Sequence, residues 1–410
     1  MIWFRYPSAG PLCAVEHGSL NPPISSPGSA TFPMLSLLLS SLLLAAQSSC
    51  SQAWQANFQH LGALVGSTLE SSPFSLHGKL YIMAAQMGAF APDGQQHSFF
   101  CVLDALTGEK LSCPNSSSGF AFQSAISDAA SGKVWVFGSA WDRAQSKAPG
   151  CKPWGCGACA QGSCYVGVWS SSDLQSWAGP EAAVQLPGGL TVPNVGVGLV
   201  PASAELPAGL PRHQAFMALE AREAGAQGAL LALNTGSTGD LSKDWLLLNN
   251  SEYAVGPSVG EAAGCPAARW ADGFYYVMGG GNNVDLARSW NLSVGSWELT
   301  PLSPVEQGCT HEQEDCSPGA PMARIASGFY TQYWANGSDH GMRDFLQNMS
   351  GWNFAANDVD FCDDGNGSTF FIYGTCAQTA PANWTGKSGN FYQLGNFQGT
   401  QGQWLASYFQ

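Results

Sequence analysis

A turn of the form Ser-x-Asp-Leu…Trp recurs along this chain and restricts its fold more than any other feature. Three copies end at Trp177, Trp245 and Trp297, and a weaker version occupies residues 101–111. In such a turn the Asp or Asn side chain accepts hydrogen bonds from nearby backbone amides, the Leu packs inward, and the Trp anchors the following strand. A turn that returns in this way indicates a repeated β unit.

Ten short segments between these turns have the length and composition of β-strands. Five are apolar or aromatic runs, at residues 78–85, 132–139, 213–220, 273–280 and 368–375, and a second short strand precedes each, at residues 71–76, 122–127, 192–200, 265–270 and 357–362. Only 11% of residues are charged, and 49 Gly and 24 Pro interrupt the chain, which disfavours long amphipathic helices. The sequence therefore predicts an all-β fold, a five-bladed β-propeller over residues 54–410.

The N-terminal region predicts export. Residues 35–46 form an apolar run of signal-peptide length, so residues 1–50 are interpreted as an N-terminal extension and secretory signal peptide, with Met1 or Met34 as the start. A signal anchor is the alternative, and no later segment is expected to insert stably in a membrane. The net charge of −14 without clustered Lys or Arg argues against nucleic acid as a partner.

Cysteine content and sequons agree with a secreted protein. Of 13 cysteines, Cys13 would leave with the leader. Spacing predicts local disulfides between Cys101 and Cys113, Cys309 and Cys316, and Cys362 and Cys376, two more within the loop Cys151–Cys164, and a long-range pair of Cys50 with Cys265. Sequons, which belong on exposed loops if they are glycosylated, begin at Asn115, Asn249, Asn291, Asn336, Asn348, Asn366 and Asn383.

In a propeller the first strand of each blade lines a central funnel. The strand alignment brings polar residues of all five units to this funnel, namely Glu70, Ser72, Ser124, Asn194, Cys265 and Asp358. Period-two alternation places Asp360 on the same face as Asp358, and Glu261 in phase with Cys265. Carboxylates from separate blades are what glycoside hydrolysis requires, because one acid protonates the leaving oxygen and another activates water or attacks the sugar.

Several motifs resemble the five-bladed glycoside hydrolases of families 43, 32 and 68. The resemblance covers residues 60–410 and rests on the segments SSSDLQSW, CPAARWADGFYYVMGG, LARSWNL, NDVDF and GQWLASYF. It implies three acids: Glu70 as base or nucleophile, Glu261 or Glu220 as general acid, and Asp358 or Asp360 as the carboxylate that tunes it. The chain departs from the family pattern, since Gly264 stands where many members carry an acid before the Cys-Pro pair, and the Arg-Asp-Pro motif of the fructosidases is absent.

The remaining expectations concern ligands. Ser72, Ser124 and Asn194 are candidate substrate-binding residues, and Trp141 and Trp334 are candidates for stacking on sugar rings. No cofactor is expected. The acidic loop His311–Asp315 could hold a structural calcium, although such runs are usually solvated surface. A sialidase-like arginine triad drawn from Arg269, Arg288, Arg324 and Arg343 is a further alternative.

Together these features predict a secreted, monomeric glycosidase. Its expected substrate is an oligo- or polysaccharide, a pentose- or fructose-containing glycan of plant or algal type. The alternative is a catalytically inactive propeller that binds carbohydrate or protein.

Overall fold

The protein is a five-bladed β-propeller, as the sequence predicts. The computed structural model describes residues 58–64, 69–90, 96–140, 165–186, 194–223, 226–236, 239–256, 264–279, 283–301, 306–307, 309–310, 353–377 and 391–409. These residues belong to one compact unit, Asn57–Gln410. Residues 1–57, including the predicted signal peptide, lie outside the described part of the chain. Within the described part, no helix has the length and apolar character needed to span a membrane.

Each blade is one antiparallel sheet. Blade 1 contains β2 (Leu69–Leu76), β3 (Lys79–Phe90), β4 (Gln96–Asp104) and β5 (Lys110–Ser112). Blade 2 contains β6 (Phe120–Asp128), β7 (Lys133–Ala140), β8 (Tyr165–Ser171) and β9 (Ala178–Gln185). Blade 3 contains β10 (Val195–Leu199), β11 (Ala215–Glu223), β12 (Ala226–Asn234), β13 (Trp245–Leu247) and β14 (Ala254–Val255). Blade 4 contains β15 (Ala267–Ala271), β16 (Phe274–Gly279), β17 (Asn283–Ser289), β18 (Glu298–Leu299) and β19 (Glu306–Gln307).

Blade 5 joins the two ends of the described chain. It contains β20 (Cys309–Thr310), β21 (Asn353–Asp363), β22 (Thr369–Ala377), β23 (Phe391–Phe397) and, as its outermost strand, β1 (Phe58–Leu64). Strand β1 pairs antiparallel with β23, with Phe58 opposite Phe397. The innermost strands β2, β6, β10, β15 and β21 each contact the next around the ring, and β21 contacts β2, so the ring is closed.

The core lies between neighbouring blades, where the faces of two sheets meet. Blades 2 and 3 bury Phe137 and Met217 together, and blades 3 and 4 bury Phe216 and Tyr275. A short C-terminal helix, α1 (Gln401–Ala406), starts with a capping box at Thr400 and Gln403. Its Trp404 is fully buried and makes edge contacts with Phe361 and Phe371 at centroid distances of 4.9 and 4.7 Å.

The recurring turns have the structure that their sequence predicts. In the copy of blade 2, Asp173 Oδ1 accepts hydrogen bonds from the amides of Gln175 and Ser176 at 2.9 and 2.8 Å. The three turn leucines are buried (Leu174, Leu241 and Leu292). The Trp177 ring makes an edge-to-face contact with Phe100, and its indole N–H donates a hydrogen bond to Ser112 Oγ of blade 1. Each turn thus fixes the start of a blade's outer strand, and this one also joins two blades.

We expect Asp173→Ala to destabilise the protein at neutral pH but not at strongly acidic pH. The amides of Ser176 and Gln175 hold the pKa of Asp173 down to about 2, below its ordinary value of 3.8. A carboxyl with a lowered folded-state pKa contributes stability above the unfolded pKa and loses it as pH falls through the folded one. The stability gap between wild type and variant, measured by urea unfolding, should therefore shrink between pH 4 and pH 2. A gap independent of pH would contradict this role for the charge.

Two of the predicted disulfides fall on described residues, and one of them is present. Cys101 and Cys113 are bonded within blade 1. The predicted Cys362–Cys376 bond is wrong, because Cys362 is a free thiol. Although its strand pairs with that of Cys376, the register places Cys362 opposite Phe370 and Cys376 opposite Ala355, far apart along the sheet. The other predicted pairs include cysteines outside the described residues.

Removing the bond in the variant Cys101→Ser/Cys113→Ser should lower the free energy of unfolding by about 2–4 kcal/mol, since the crosslink restricts the unfolded chain. Urea unfolding of the variant without reductant measures this loss. A variant as stable as the oxidised wild type would contradict the prediction.

Four sequons fall on described residues. Asn115, Asn249 and Asn366 are exposed, as expected of glycosylation acceptors, whereas Asn291 is half-buried. The carbonyl oxygen of the Asn291 side chain accepts a hydrogen bond from the amide of Ser293 in its own turn.

Candidate functional site

The carboxylate of Glu220 is buried near the start of β10, the inner strand of blade 3. We call the end of the funnel at which the inner strands begin the upper mouth. Glu220 is on β11, and its amide donates to Asn194 O, just before β10. Its Oε2 accepts hydrogen bonds from Asn194 Nδ2 and from the Cys265 amide, the latter at 3.0 Å. Glu220 is 7% exposed and Asn194 3% exposed. The Glu220 carboxylate is thereby held between blades 3 and 4.

The orientation of the Asn194 amide follows from its partners. The amide nitrogen of Asn194 faces Glu220 Oε2, and it also contacts Cys265 Sγ at 3.0 Å. The amide oxygen Oδ1 then points elsewhere. It is buried and receives no hydrogen bond from any described residue. A buried acceptor of this kind carries a desolvation cost, which makes Asn194 a distinctive residue of the mouth.

The Cys265-Pro266 pair approaches blade 3 at unusually short range. Cys265 has a φ of 44°, in the left-handed region that a side-chain-bearing residue seldom adopts and that is common at functional sites. A Cβ built on Gly196 of β10 would lie 2.1 Å from Pro266 O, so only Gly allows this approach. The local backbone therefore brings the Cys265 amide to the Glu220 carboxylate.

A chain of hydrogen bonds crosses the funnel below Glu220 and joins all five inner strands; we call it the belt. Ser72 Oγ of blade 1 accepts from the Ala125 amide of blade 2 at 3.0 Å and donates to Asp360 Oδ2 of blade 5. Asp360 Oδ1 pairs with the guanidinium of Arg269 of blade 4. Arg269 also donates to Val197 O of blade 3 at 3.3 Å. The belt thus connects the blades in the order 2, 1, 5, 4, 3.

Asp360 is fully engaged by these partners. Its Oδ1 also accepts from the Phe361 amide at 2.9 Å, so both carboxylate oxygens have donors. Burial raises the pKa of Asp360, while the Arg269 guanidinium beside it acts in the opposite direction. Arg269 is itself 6% exposed, and its guanidinium lies 4.7 Å from the centre of the Phe361 ring.

Three inner strands are irregular at the same level, just above the belt. The pairing register shifts between Leu69 and Ser72 in β2, between Ala121 and Ser124 in β6, and between Asn357 and Asp360 in β21. Bulges interrupt the alternation of side chains and often re-aim them beside active sites. The sequence-based placement of Asp358 on the same face as Asp360 assumed that side chains alternate regularly along β21. That assumption does not hold across the register shift between Asn357 and Asp360. Glu70 and Asp358 lie within two of these shifted segments.

The predicted site residues fall into three groups. Ser72 and Asp360 are in contact with each other, Asn194 with Glu220, and Ser124 is buried next to Ala125. The backbone of Glu70 and Asp358 is described, but their side chains are not. Glu261, Trp141 and Trp334 lie outside the described residues, as does the loop His311–Asp315. Their predicted roles remain predictions.

The belt arginine was missed as a funnel residue, although the sequence carries a signal for it. Arg269 is the single basic residue within the five segments predicted as inner strands, in a run of otherwise small or apolar residues. A charge at such a position needs a partner, and Asp358 and Asp360 are the acids available in those segments. Arg288, considered with Arg269 for an arginine triad, is instead paired with Glu298 on the next strand. Among the described residues, no group of three His, Cys, Asp or Glu could hold a metal ion.

No protein-family model and no curated protein matches the sequence. Solved structures do match. A GH43 protein from Bacillus licheniformis is 14% identical with a TM-score of 0.47, and the match covers 81% of this chain and 52% of that one, so this chain spans about half its length. Arabinanase from Bacillus subtilis is 11% identical (TM-score 0.44, 83% and 97% covered), and an α-L-arabinofuranosidase from Fusarium graminearum is 10% identical (TM-score 0.41, 80% and 77% covered). At these identities the likeness concerns the fold.

Proposed function

We propose that this chain is a secreted glycoside hydrolase whose acids act at the upper mouth of the funnel. The observation that carries the proposal is the position of Glu220. Many members of the family that the sequence resembles have their general acid immediately before a Cys-Pro or Gly-Pro pair, where this chain has Gly264. Glu220 reaches the Cys265 amide from the neighbouring blade and supplies a carboxylate beside that pair.

The second carboxylate is proposed to come from Glu70 or Asp358. Both lie in the upper parts of inner strands, on the adjacent blades 1 and 5, whereas Glu220 belongs to blade 3. Carboxylates from different blades can flank one glycosidic bond, with Glu220 as acid and the other as base or nucleophile. Glu261 is the alternative acid that the resemblance allows.

The substrate class rests on the resemblance, which implies arabinose-, xylose- or fructose-containing glycans. Secretion rests on the apolar run of residues 35–46 and on the Cys101–Cys113 disulfide, a bond typical of exported proteins.

One observation favours a propeller that binds sugar without cutting it. The predicted tuning acid Asp360 has both oxygens engaged within the belt, and Glu220 Oε2 already accepts two hydrogen bonds. A carboxylate oxygen that is already occupied by protein donors is less available to contact a sugar or a water molecule.

Hydrolysis is tested by incubating the purified protein with aryl-glycosides of arabinose, xylose, fructose and galactose, each in parallel with Glu70→Gln and Glu261→Gln. Cleavage by the wild type, with loss in Glu70→Gln, supports the proposed function and the base. If both variants still cleave the glycoside, Glu70 is not the base and Glu261 is not the acid, but the protein is still a glycoside hydrolase. No cleavage of any glycoside, together with binding of the parent sugars, supports the binding propeller.

A further inference from the structure

The lower half of the funnel is a cavity of about 550 Å³, separate from the mouth that holds Glu220. Residues near the ends of all five inner strands line it, together with residues of the turns that follow β2, β6 and β21. Arg269 of the belt is in its wall, whereas Ser72, Asp360, Asn194 and Glu220 are not. The belt therefore bounds the cavity on its upper side. Its volume is in the range of ligand pockets, roughly 300–1,000 Å³.

We propose that this lower cavity binds a neutral saccharide, as a carbohydrate site distinct from the acids of the upper mouth. The inference does not rest on hydrolysis. It follows from three properties of the wall: its backbone groups, its side chains and its charge.

The wall offers both donors and acceptors. Over their last residues the inner strands pair on one side only, so backbone N–H and C=O groups on the free edges face the funnel. Ser75 adds a hydroxyl group at the wall. A sugar is suited to such a wall, because each of its hydroxyl groups can both donate and accept.

An aromatic side chain completes the site. Trp270 follows Arg269 on β15, is half-buried and lines the cavity. Within the described chain it has neither a ring contact nor a hydrogen bond to its indole N–H, unlike Trp177, which is engaged in both ways. The Trp270 side chain packs in part against the apolar cluster between blades 3 and 4. The part that lines the cavity can pack against the C–H face of a sugar ring, and the indole N–H can donate to a hydroxyl group.

The charge of the wall excludes anionic ligands. The positive charge of Arg269 is compensated by Asp360 within the belt. Asp128 and Asp363 remain as carboxylates in the wall, where each accepts hydrogen bonds from backbone amides. Among the described wall residues Arg269 is the only Lys or Arg, and the remaining basic side chain, His77, is engaged with Ser172 O at 3.3 Å. A uronic acid or phosphate would therefore meet these two carboxylates without an uncompensated Lys or Arg to offset them, so the site favours a neutral sugar.

The test is equilibrium binding of neutral di- and trisaccharides of arabinose, xylose and fructose to the whole protein, measured by isothermal titration calorimetry, with trigalacturonic acid as the anionic comparator. Trp270→Ala should weaken binding of the preferred neutral sugar by about tenfold or more, as expected for an aromatic anchor. Trp270→Phe, which keeps an aromatic face, should lose less. Trp290→Ala is the matched control, because Trp290 is 55% exposed and does not line the cavity.

Ser75→Tyr provides an independent test if Trp270→Ala does not fold. It adds bulk at the cavity wall without removing a core side chain, and Tyr is favoured in strands. It should abolish neutral-sugar binding. Unchanged affinity in Ser75→Tyr overturns the proposal, as does equal or tighter binding of trigalacturonic acid, or absence of neutral-sugar binding by the wild type. Loss of hydrolysis in an upper-mouth variant bears only on the proposed function.

Discussion

Replacing Arg269 with Met is expected to lower the free energy of unfolding by about 3–5 kcal/mol at pH 7, the usual cost of removing one partner from a buried ion pair. The carboxylate of Asp360 would keep its donors Ser72 and the Phe361 amide but lose the guanidinium that pairs with it. The bond from Arg269 to Val197 O would also be lost, which disconnects blade 3 from the belt. Urea unfolding of wild type and variant measures the difference.

Two further variants separate the ion pair from simple loss of packing. Arg269→Met combined with Asp360→Leu removes both charges, and it should be more stable than Arg269→Met alone, because no unpaired charge stays buried. Lys243→Met removes a cation that is 62% exposed and pairs with Asp240 at the surface, so its effect should stay within about 1 kcal/mol. If the double variant loses as much free energy of unfolding as Arg269→Met and Asp360→Leu lose together, the two residues are not coupled and the prediction is contradicted.

The pH dependence of Arg269→Met follows from the state of Asp360. Burial already raises the pKa of Asp360 above 3.8, and removing the guanidinium that opposes this effect raises it further. A carboxyl with a raised folded-state pKa contributes stability below the unfolded pKa and loses it as pH rises through the folded one. The deficit of Arg269→Met relative to wild type should therefore be small near pH 4 and grow toward pH 8. A deficit that grows with acid would refute this account.

The propeller could be predicted from sequence because its signals are local. Each inner and second strand is a short apolar run, and the turn of Asp173 or Asn291 uses only residues two or three positions away. The closing strand β1 could not be predicted in this way, because it pairs with Phe391–Phe397, more than three hundred residues further along the chain. The predicted Cys362–Cys376 bond failed for a related reason: spacing along the chain does not give register across a hairpin.

The candidate site could be predicted only in outline. Sequence placed Asn194, Cys265 and Asp360 on the funnel but gave no sign that Glu220, on a second strand, would meet the Cys265 amide. That contact depends on the close approach of Pro266 to Gly196 and on the left-handed backbone of Cys265, which are tertiary features. The shifted registers near Glu70 and Asp358 likewise interrupt an alternation that strand periodicity assumes.

Glu220→Gln is expected to lower kcat/KM by about 10²–10⁴-fold on the glycoside that the screen identifies, the usual range for loss of a general acid. Glutamine keeps the length of the side chain and an oxygen that can accept from Asn194 and Cys265, so the fold should be retained. The loss should be largest for alkyl glycosides, whose leaving oxygen must be protonated, and smaller for dinitrophenyl glycosides, whose leaving group departs as an anion. Initial rates on the two substrates measure this difference.

The dependence on the leaving group distinguishes an acid from a residue that only positions the sugar. A positioning residue would reduce both rates to the same extent, because it acts on the bound glycone that the two substrates share. Glu205→Gln, on the exposed connection between β10 and β11 of the same blade, is the matched control and should leave both rates unchanged. Equal losses of rate on both substrates would show that Glu220 is not the general acid. Glu261 would then be the remaining candidate for that role.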